Sequence, residues 1–376
     1  MTKRYPVALR TTGLLALSLV LLAPLPMPAI AATTTTTAAA TGDVIALPAY
    51  QVDLSQTTVS GLSSGAFMAA QFAVAYSATV SGAGIIAGGP YYCASQPGRF
   101  PYISYLNNAL TTCMNPAEKQ VAPPDASGLL RSAQGFARDK QIDDTAYLQR
   151  QRIYLFSGTK DQTVTRPVVE QVAKFYQLAG TPAAQIRFVD TVGAGHAIIT
   201  NSSQDQACGL TASPFINDCN FVQARDILQH LYPDLQPSSS TLKGKLIAFN
   251  QRSFIQNAIA SSMSNTAYAY VPQACTSETC RVHVVFHGCL QTTQDIGDRF
   301  YTRTGYNQVA ETNKIIVLYP QAEPSPVFPY NPQGCWDFWG YTSINPLNPE
   351  FFRKSGTQMA AVKAMLDRLA ARRGSR

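Results

Sequence analysis

The chain has 376 residues, with 29 Lys and Arg against 22 Asp and Glu, and eight cysteines. The basic surplus is spread along the chain, partly into the tail residues Arg368, Arg372, Arg373 and Arg376, and no basic stripe with interleaved aromatics points to a nucleic-acid partner. Beyond the first apolar run no stretch is long enough for a membrane helix, so a multi-span membrane protein is excluded too.

Residues 1–31 have the form of a signal peptide. Lys3, Arg4 and Arg10 precede a short apolar core, and Ala29-Ile30-Ala31 supplies a small-x-small cleavage pattern. Its removal leaves 26 basic against 22 acidic side chains, and no membrane attachment is expected afterwards. An exported location, extracellular or periplasmic, follows. Residues 32–42 are a Thr/Ala spacer with nothing to bury. Residues 43–376 are expected to form one large α/β domain, monomeric and without an appended module.

Residues 52–59 read as a strand running into Gly61-Leu62-Ser63-Ser64-Gly65. The pattern G-x-S-x-G describes a strand, a sharp turn and a helix, with glycines letting the backbone pass close to a serine at the apex. Residues 66–73 are helix formers without a breaker, and residues 80–87 form a short apolar strand of the kind a buried parallel sheet uses. Ser63 is therefore the candidate nucleophile. A strand over 152–157 leads to Asp161, a helix with proline in its first turn spans 166–179, and a strand over 185–189 leads to Gly195-His196. Asp161 and His196 thus end two consecutive parallel strands, which brings their loops side by side as acid and base. Asp190 is a rival acid but shares the histidine's own strand end, while Asp143 and Asp144 follow no strand. Of the other histidines, His230 is expected on a helix surface, His283 inside a strand as a structural residue, and His287 at that strand's end. The order Ser63, Asp161, His196 is that of the α/β-hydrolases, a mostly parallel sheet flanked by helices.

All eight cysteines, 93, 113, 208, 219, 275, 280, 289 and 335, lie in the exported part. An even count in an oxidising compartment points to disulfides rather than metal, and no Cys or His pair at finger spacing accompanies Cys275 and Cys280. The count leaves the connectivity open. Short-range closure favours Cys93–Cys113, Cys208–Cys219 and Cys275–Cys280, which leaves Cys289–Cys335.

Acyl transfer also needs an oxyanion hole. One donor should be the backbone N–H of Ser64, the residue after the nucleophile, and the other should come from a strand ending in His-Gly. None precedes Ser63. One lies far downstream, ending in His287-Gly288-Cys289 and followed by an apolar strand over 314–320, as a circular permutation would arrange it.

The segments GLSSGAFMA, SGTKDQTV, GAGH, VVFHGCLQ, VLYPQ and GCWDFWGY together resemble the single-domain, circularly permuted polyhydroxybutyrate depolymerases, over most of residues 45–365. That resemblance implies Ser63 as nucleophile, Asp161 as acid and His196 as base, with the N–H groups of Ser64 and Cys289 as the oxyanion hole. It also implies Trp336 and Asn331 at the acyl or alcohol subsite. Phe338 stands where the family often has a further tryptophan. The implied function is secreted serine-esterase hydrolysis of poly(3-hydroxybutyrate) and its oligomers, with a polyester or oligoester as partner and no metal or organic cofactor. An esterase for small or plant-derived esters, of feruloyl or acetyl type, would use the same triad. A catalytically silent binding protein would require loss of a triad member, and all three are present. If Cys335 bonds Cys289, Trp336 must lie near the oxyanion loop, where an apolar ring suits an uncharged polyester. Trp336 is therefore expected to line the cleft, with exposed apolar residues at its mouth for adsorption.

Overall fold

The computed structural model describes residues 43–95 and 101–374. The signal peptide and the spacer lie outside the described residues. The elements, in chain order, begin with β1 (Thr57–Leu62), α1 (Ser64–Ala75), β2 (Val80–Ile86), α2 (Pro101–Leu110) and α3 (Ala126–Arg138). Next come β3 (Arg152–Phe156), α4 (Arg166–Leu178), β4 (Ile186–Val189), β5 (Ile198–Thr200), β6 (Gln206–Ala207), β7 (Ile216–Asp218) and α5 (Gln223–Leu231). The last third holds β8 (Lys245–Asn250), β9 (Thr266–Val271), β10 (Arg281–Phe286), α6 (Thr293–Ile296), α7 (Arg299–Arg303), α8 (Tyr306–Asn313), β11 (Ile315–Tyr319) and α9 (Thr357–Ala370).

Eight strands form one sheet in the order β4-β3-β2-β1-β10-β11-β9-β8. From β4 to β11 every neighbour is parallel, and β9 and β8 pair antiparallel. Strands β1 and β11 are buried along their whole length and β2, β3 and β10 at all but one residue, because helices cover both faces. That explains their unbroken apolar runs in place of alternation. Strand β10, ending in the His-Gly sequence, lies directly beside β1 with Gly61 opposite Phe286. The fold is α/β, with a mostly parallel sheet flanked by helices, and its chain order places β10, which ends in His-Gly, after β1.

Local sequence explains the elements that hold the site. Helix α1 is buried at all twelve residues, as its lack of any charged side chain requires. Each of its phenylalanines, Phe67 and Phe72, contributes about 1.5–3 kcal/mol by leaving water. Strand β1 starts later than the apolar pattern suggests, because Asp53 caps a short 3-10 turn over Leu54–Gln56 by accepting from Ser55 N–H. His230 is not a surface residue. It is buried on α5, with Nε2 2.9 Å from the Gln185 carbonyl. His283 is structural as expected: Nδ1 lies 2.7 Å from the Thr58 hydroxyl and Nε2 2.8 Å from the Ser60 hydroxyl, so β10 is cross-linked to β1 inside the sheet. Four disulfides, Cys93–Cys113, Cys208–Cys219, Cys275–Cys280 and Cys289–Cys335, use all eight cysteines. Among the described residues no helix is long and apolar enough to cross a membrane.

Candidate active site

Ser63 sits between the last residue of β1 and the first of α1 with φ 57° and ψ −124°. A non-glycine residue in this region carries on the order of 1–3 kcal/mol of strain, which the surroundings must enforce. Its N–H donates to the Ile86 carbonyl at 3.0 Å, tying the turn to the end of β2. A Cβ at position 61 would fall on the Gly65 carbonyl, and one at position 65 on the carbonyls of Phe286 and His287. Both glycines of the motif are thus demanded by close approach, the second one to the end of β10.

Asp161 opens the turn after β3. Its Oδ1 accepts from the N–H groups of Thr163 (2.8 Å) and Val164 (3.1 Å), which leaves Oδ2 to His196 Nδ1 at 2.8 Å. The pair is buried. With Nδ1–H donated to the carboxylate, the lone pair of the neutral imidazole resides on Nε2. His196 N–H donates to the Thr211 hydroxyl at 2.9 Å, so the Cys208–Cys219 loop holds the histidine's backbone. The rival acids are engaged elsewhere. Asp190 pairs with Arg166 at 2.8 Å, Asp143 with Lys354, and Asp144 accepts from Ala146 N–H at the start of a 3-10 turn. Among the described residues neither the Ser63 hydroxyl nor His196 Nε2 has a hydrogen-bond partner, and the two are not bonded to each other. Such contacts commonly tighten only when substrate binds.

Ser64 N–H, in the first turn of α1 where no intrahelical acceptor exists, and Cys289 N–H have no acceptor among the described residues. The end of β10 lies against the elbow: a Cβ at Gly288 would stand 3.3 Å from the Leu62 carbonyl and 3.4 Å from Ser63 Cβ. Two side chains that sequence reading left without a role fix this strand end. His287 Nδ1 lies 2.7 Å from the Gly288 carbonyl, and Gln291 Oε1 accepts from Gly288 N–H at 2.7 Å. Burial pushes the His287 imidazole down to about 4, so it is neutral.

The Cys289–Cys335 disulfide brings in the segment 331–342. Trp336 N–H donates to the Ser64 hydroxyl at 3.2 Å, linking this segment to the elbow as well. The indole itself departs from expectation. Expected to line the cleft, it is fully buried, edge-on to Phe286 (5.1 Å) and against His287 (5.5 Å). Asn331 also differs from a residue free for ligand. Its Oδ1 accepts from Cys335 N–H, and Nδ2 lies within 3.0 Å of the Ser262 hydroxyl, the Cys335 carbonyl and the Tyr341 hydroxyl. Phe338 stacks on Phe67 of α1 at 4.2 Å.

Asp337 was not singled out in the sequence. It is buried and accepts from the N–H groups of Trp339, Gly340, Tyr341 and Thr342 and from the Thr342 hydroxyl. Burial nevertheless raises its carboxyl above the ordinary range. A lone Asp between aromatics, followed by Gly at a positive φ of 95° three residues on, was the available signal for such a carboxylate-capped turn.

No family model matches the chain. It is 42% identical over 336 residues to a poly(3-hydroxybutyrate) depolymerase of Delftia acidovorans, covering 88% of this chain and 63% of the relative's length. It is 38% identical over 339 residues to a polyhydroxybutyrate depolymerase of Talaromyces funiculosus, covering 86% of this chain and 92% of the relative. Among solved structures, the PHB depolymerase from Penicillium funiculosum matches with a TM-score of 0.75 and 34% identity, over 86% of this chain and 98% of that one. A PHB depolymerase variant complexed with an R3HB trimer matches with a TM-score of 0.74 and 33% identity. With 92% of one curated relative covered at 38% identity, the chain belongs to the polyhydroxybutyrate depolymerase family.

Proposed function

We propose that this protein is an exported serine esterase that hydrolyses the ester bonds of poly(3-hydroxybutyrate) and its oligomers. The observation that carries the reading is the buried Asp161–His196 pair at 2.8 Å, beside a Ser63 held at positive φ on a strand-to-helix turn, in a member of this family. Ser63 Oγ attacks the ester carbonyl while His196 Nε2 takes its proton, and Asp161 holds the imidazole in the required tautomer and stabilises the imidazolium. The negative oxygen of the tetrahedral intermediate is met by Ser64 N–H and Cys289 N–H. His196 then protonates the leaving alcohol, and a water activated by the same nitrogen releases the acyl group from Ser63.

Trp336 and Asn331 support the cleft rather than form its surface. Trp336 backs the oxyanion strand, and Asn331 clamps the segment that carries it. Adsorption to an insoluble polyester falls to exposed apolar side chains flanking that segment. Val327, Phe328 and Tyr330 precede Asn331, Ile344 and Leu347 follow Thr342, and Ile259 lies three residues from Ser262, which bonds Asn331. An export route agrees with four disulfides, which persist in an extracellular or periplasmic setting. The test is product analysis after incubation with poly(3-hydroxybutyrate), beside Ser63→Ala. Soluble 3-hydroxybutyrate oligomers from the unaltered protein alone are expected. Turnover of feruloyl or acetyl esters with no polymer products would overturn the substrate assignment while keeping the triad.

A further inference from the structure

His287 and Gln291 follow the end of β10, both are buried, and among the described residues neither side chain hydrogen-bonds Ser63, Asp161 or His196. Their partners are specific. Ala322 N–H donates to His287 Nε2 at 3.1 Å, so the ring's proton is on Nδ1, which donates to the Gly288 carbonyl at 2.7 Å. That carbonyl is one half of the Gly288–Cys289 peptide, and Cys289 N–H is the other half. Because a trans peptide is planar, with C=O and N–H antiparallel, fixing the oxygen fixes the direction of the N–H.

Gln291 secures the preceding peptide. Its Oε1 accepts from Gly288 N–H at 2.7 Å, while Nε2 donates to the carbonyls of Pro214 (2.9 Å) and Phe215 (3.3 Å). Both carbonyls belong to the Cys208–Cys219 loop, whose Thr211 hydroxyl accepts His196 N–H. One amide side chain therefore joins the strand end bearing Cys289 to the loop that holds the histidine.

We propose that His287 and Gln291 are positioning residues for catalysis, aiming the Cys289 N–H at the developing oxyanion and keeping it in register with His196. This rests on the reading of Cys289 N–H as an oxyanion donor. A tilt of that peptide would leave substrate binding intact, because the ground-state carbonyl draws little on the donor, and would raise the barrier to the tetrahedral intermediate.

The test compares kcat and KM on a soluble p-nitrophenyl ester for the unaltered enzyme, His287→Gln, His287→Asn and Gln291→Leu. It adds inhibition by a trifluoromethyl ketone, which forms a tetrahedral adduct with the serine, and by the corresponding methyl ketone. His287→Gln, whose amide reaches the Nε2 position, and Gln291→Leu are expected to lower kcat by about 10- to 100-fold with KM changed less than about threefold. Affinity for the trifluoromethyl ketone should fall by a similar factor, and that for the methyl ketone should hold. His287→Asn places a donor near the Nδ1 position and should recover most of the loss. Unchanged kcat in folded variants, or equal weakening of both ketones, would overturn the proposal. If one variant does not fold, the other carries the same comparison. Should the unaltered enzyme fail to prefer the trifluoromethyl ketone, the oxyanion reading itself falls, an outcome seen before any variant is made.

Discussion

The side chains proposed to react and the groups that surround them are held in different ways. Ser63, Asp161 and His196 stand on tight turns or short loops after β1, β3 and β4, within the parallel half of the sheet. Cys289 and Trp336 belong to the C-terminal third, and Trp336 lies in the long stretch between β11 and α9, which has no regular element. In the first region the sheet ladder fixes where Ser63 and Asp161 emerge, and Asp161 with the Thr211 hydroxyl holds His196. In the second, Cys289 follows the ladder of β10, but the stretch between β11 and α9 has none, so its turns need their own buried anchors: Asn331 for the Cys335 backbone, Asp337 for residues 339–342, the Cys289–Cys335 bridge, and the Trp336 backbone N–H bond to Ser64. A buried polar anchor is conditional, since removing one partner strands the others. The second region should therefore fail through stability as well as chemistry, and the first through chemistry alone.

The largest effect expected is in the first region. Ser63→Ala, Asp161→Asn and His196→Ala should each lower ester turnover by roughly 10³-fold or more, with circular dichroism and melting temperature near those of the unaltered protein. Asp190→Asn, which only releases Arg166, should leave turnover close to unchanged. If Asp190→Asn inactivates and Asp161→Asn does not, the acid has been misassigned.

In the second region, Trp336→Ala opens a cavity against Phe286 and His287 and should cost about 3–5 kcal/mol in denaturant unfolding. Because the ring is buried, loss of activity should be similar for a 3-hydroxybutyrate trimer and a short ester. A loss confined to the trimer would show that the indole meets substrate after all.

Replacing Cys289 and Cys335 together by serine removes a closure spanning 46 residues and should cost about 4 kcal/mol, with a fall in turnover. The same change at Cys275 and Cys280, a closure of 5 residues beside the antiparallel edge, should cost about 2 kcal/mol and spare turnover. Equal loss of turnover from both would remove the special standing of the first bridge.

Acid sensitivity should come from the buried histidines. Burial holds His283 at about 3 and His287 at about 4, below the ordinary value near 6.5. The unfolded chain therefore binds protons at these sites first. Stability should be level above about pH 6.5 and fall as pH drops toward 4, by on the order of 1.4 kcal/mol per unit for each histidine. Urea unfolding between pH 7 and 5 measures the slope, and a flat result would contradict neutral buried imidazoles.

The smallest effect is expected at the outer edge of the second region. Ile344→Ser with Leu347→Ser should weaken adsorption to polyester film several-fold and leave soluble-ester turnover unchanged, since both side chains are well exposed. Undiminished adsorption would place the contact surface elsewhere.

Much of this was legible in the chain itself. The G-x-S-x-G string, the apolar run before Asp161, and the strand–helix–strand pattern leading to His196 each carry local physics: a turn whose close approaches demand glycine, a strand buried on both faces, a helix crossover between parallel neighbours. Those constraints act over a few residues, so sequence expresses them directly. Tertiary structure alone decided that Trp336 is walled in by Phe286 and His287, and that Asn331 spends its amide on its own loop. It alone decided too that Asp337, His287 and Gln291 supply the anchors. Hydrogen bonds and ring contacts between segments far apart in the chain leave no period or spacing behind, because their partners are chosen by packing once the sheet has formed.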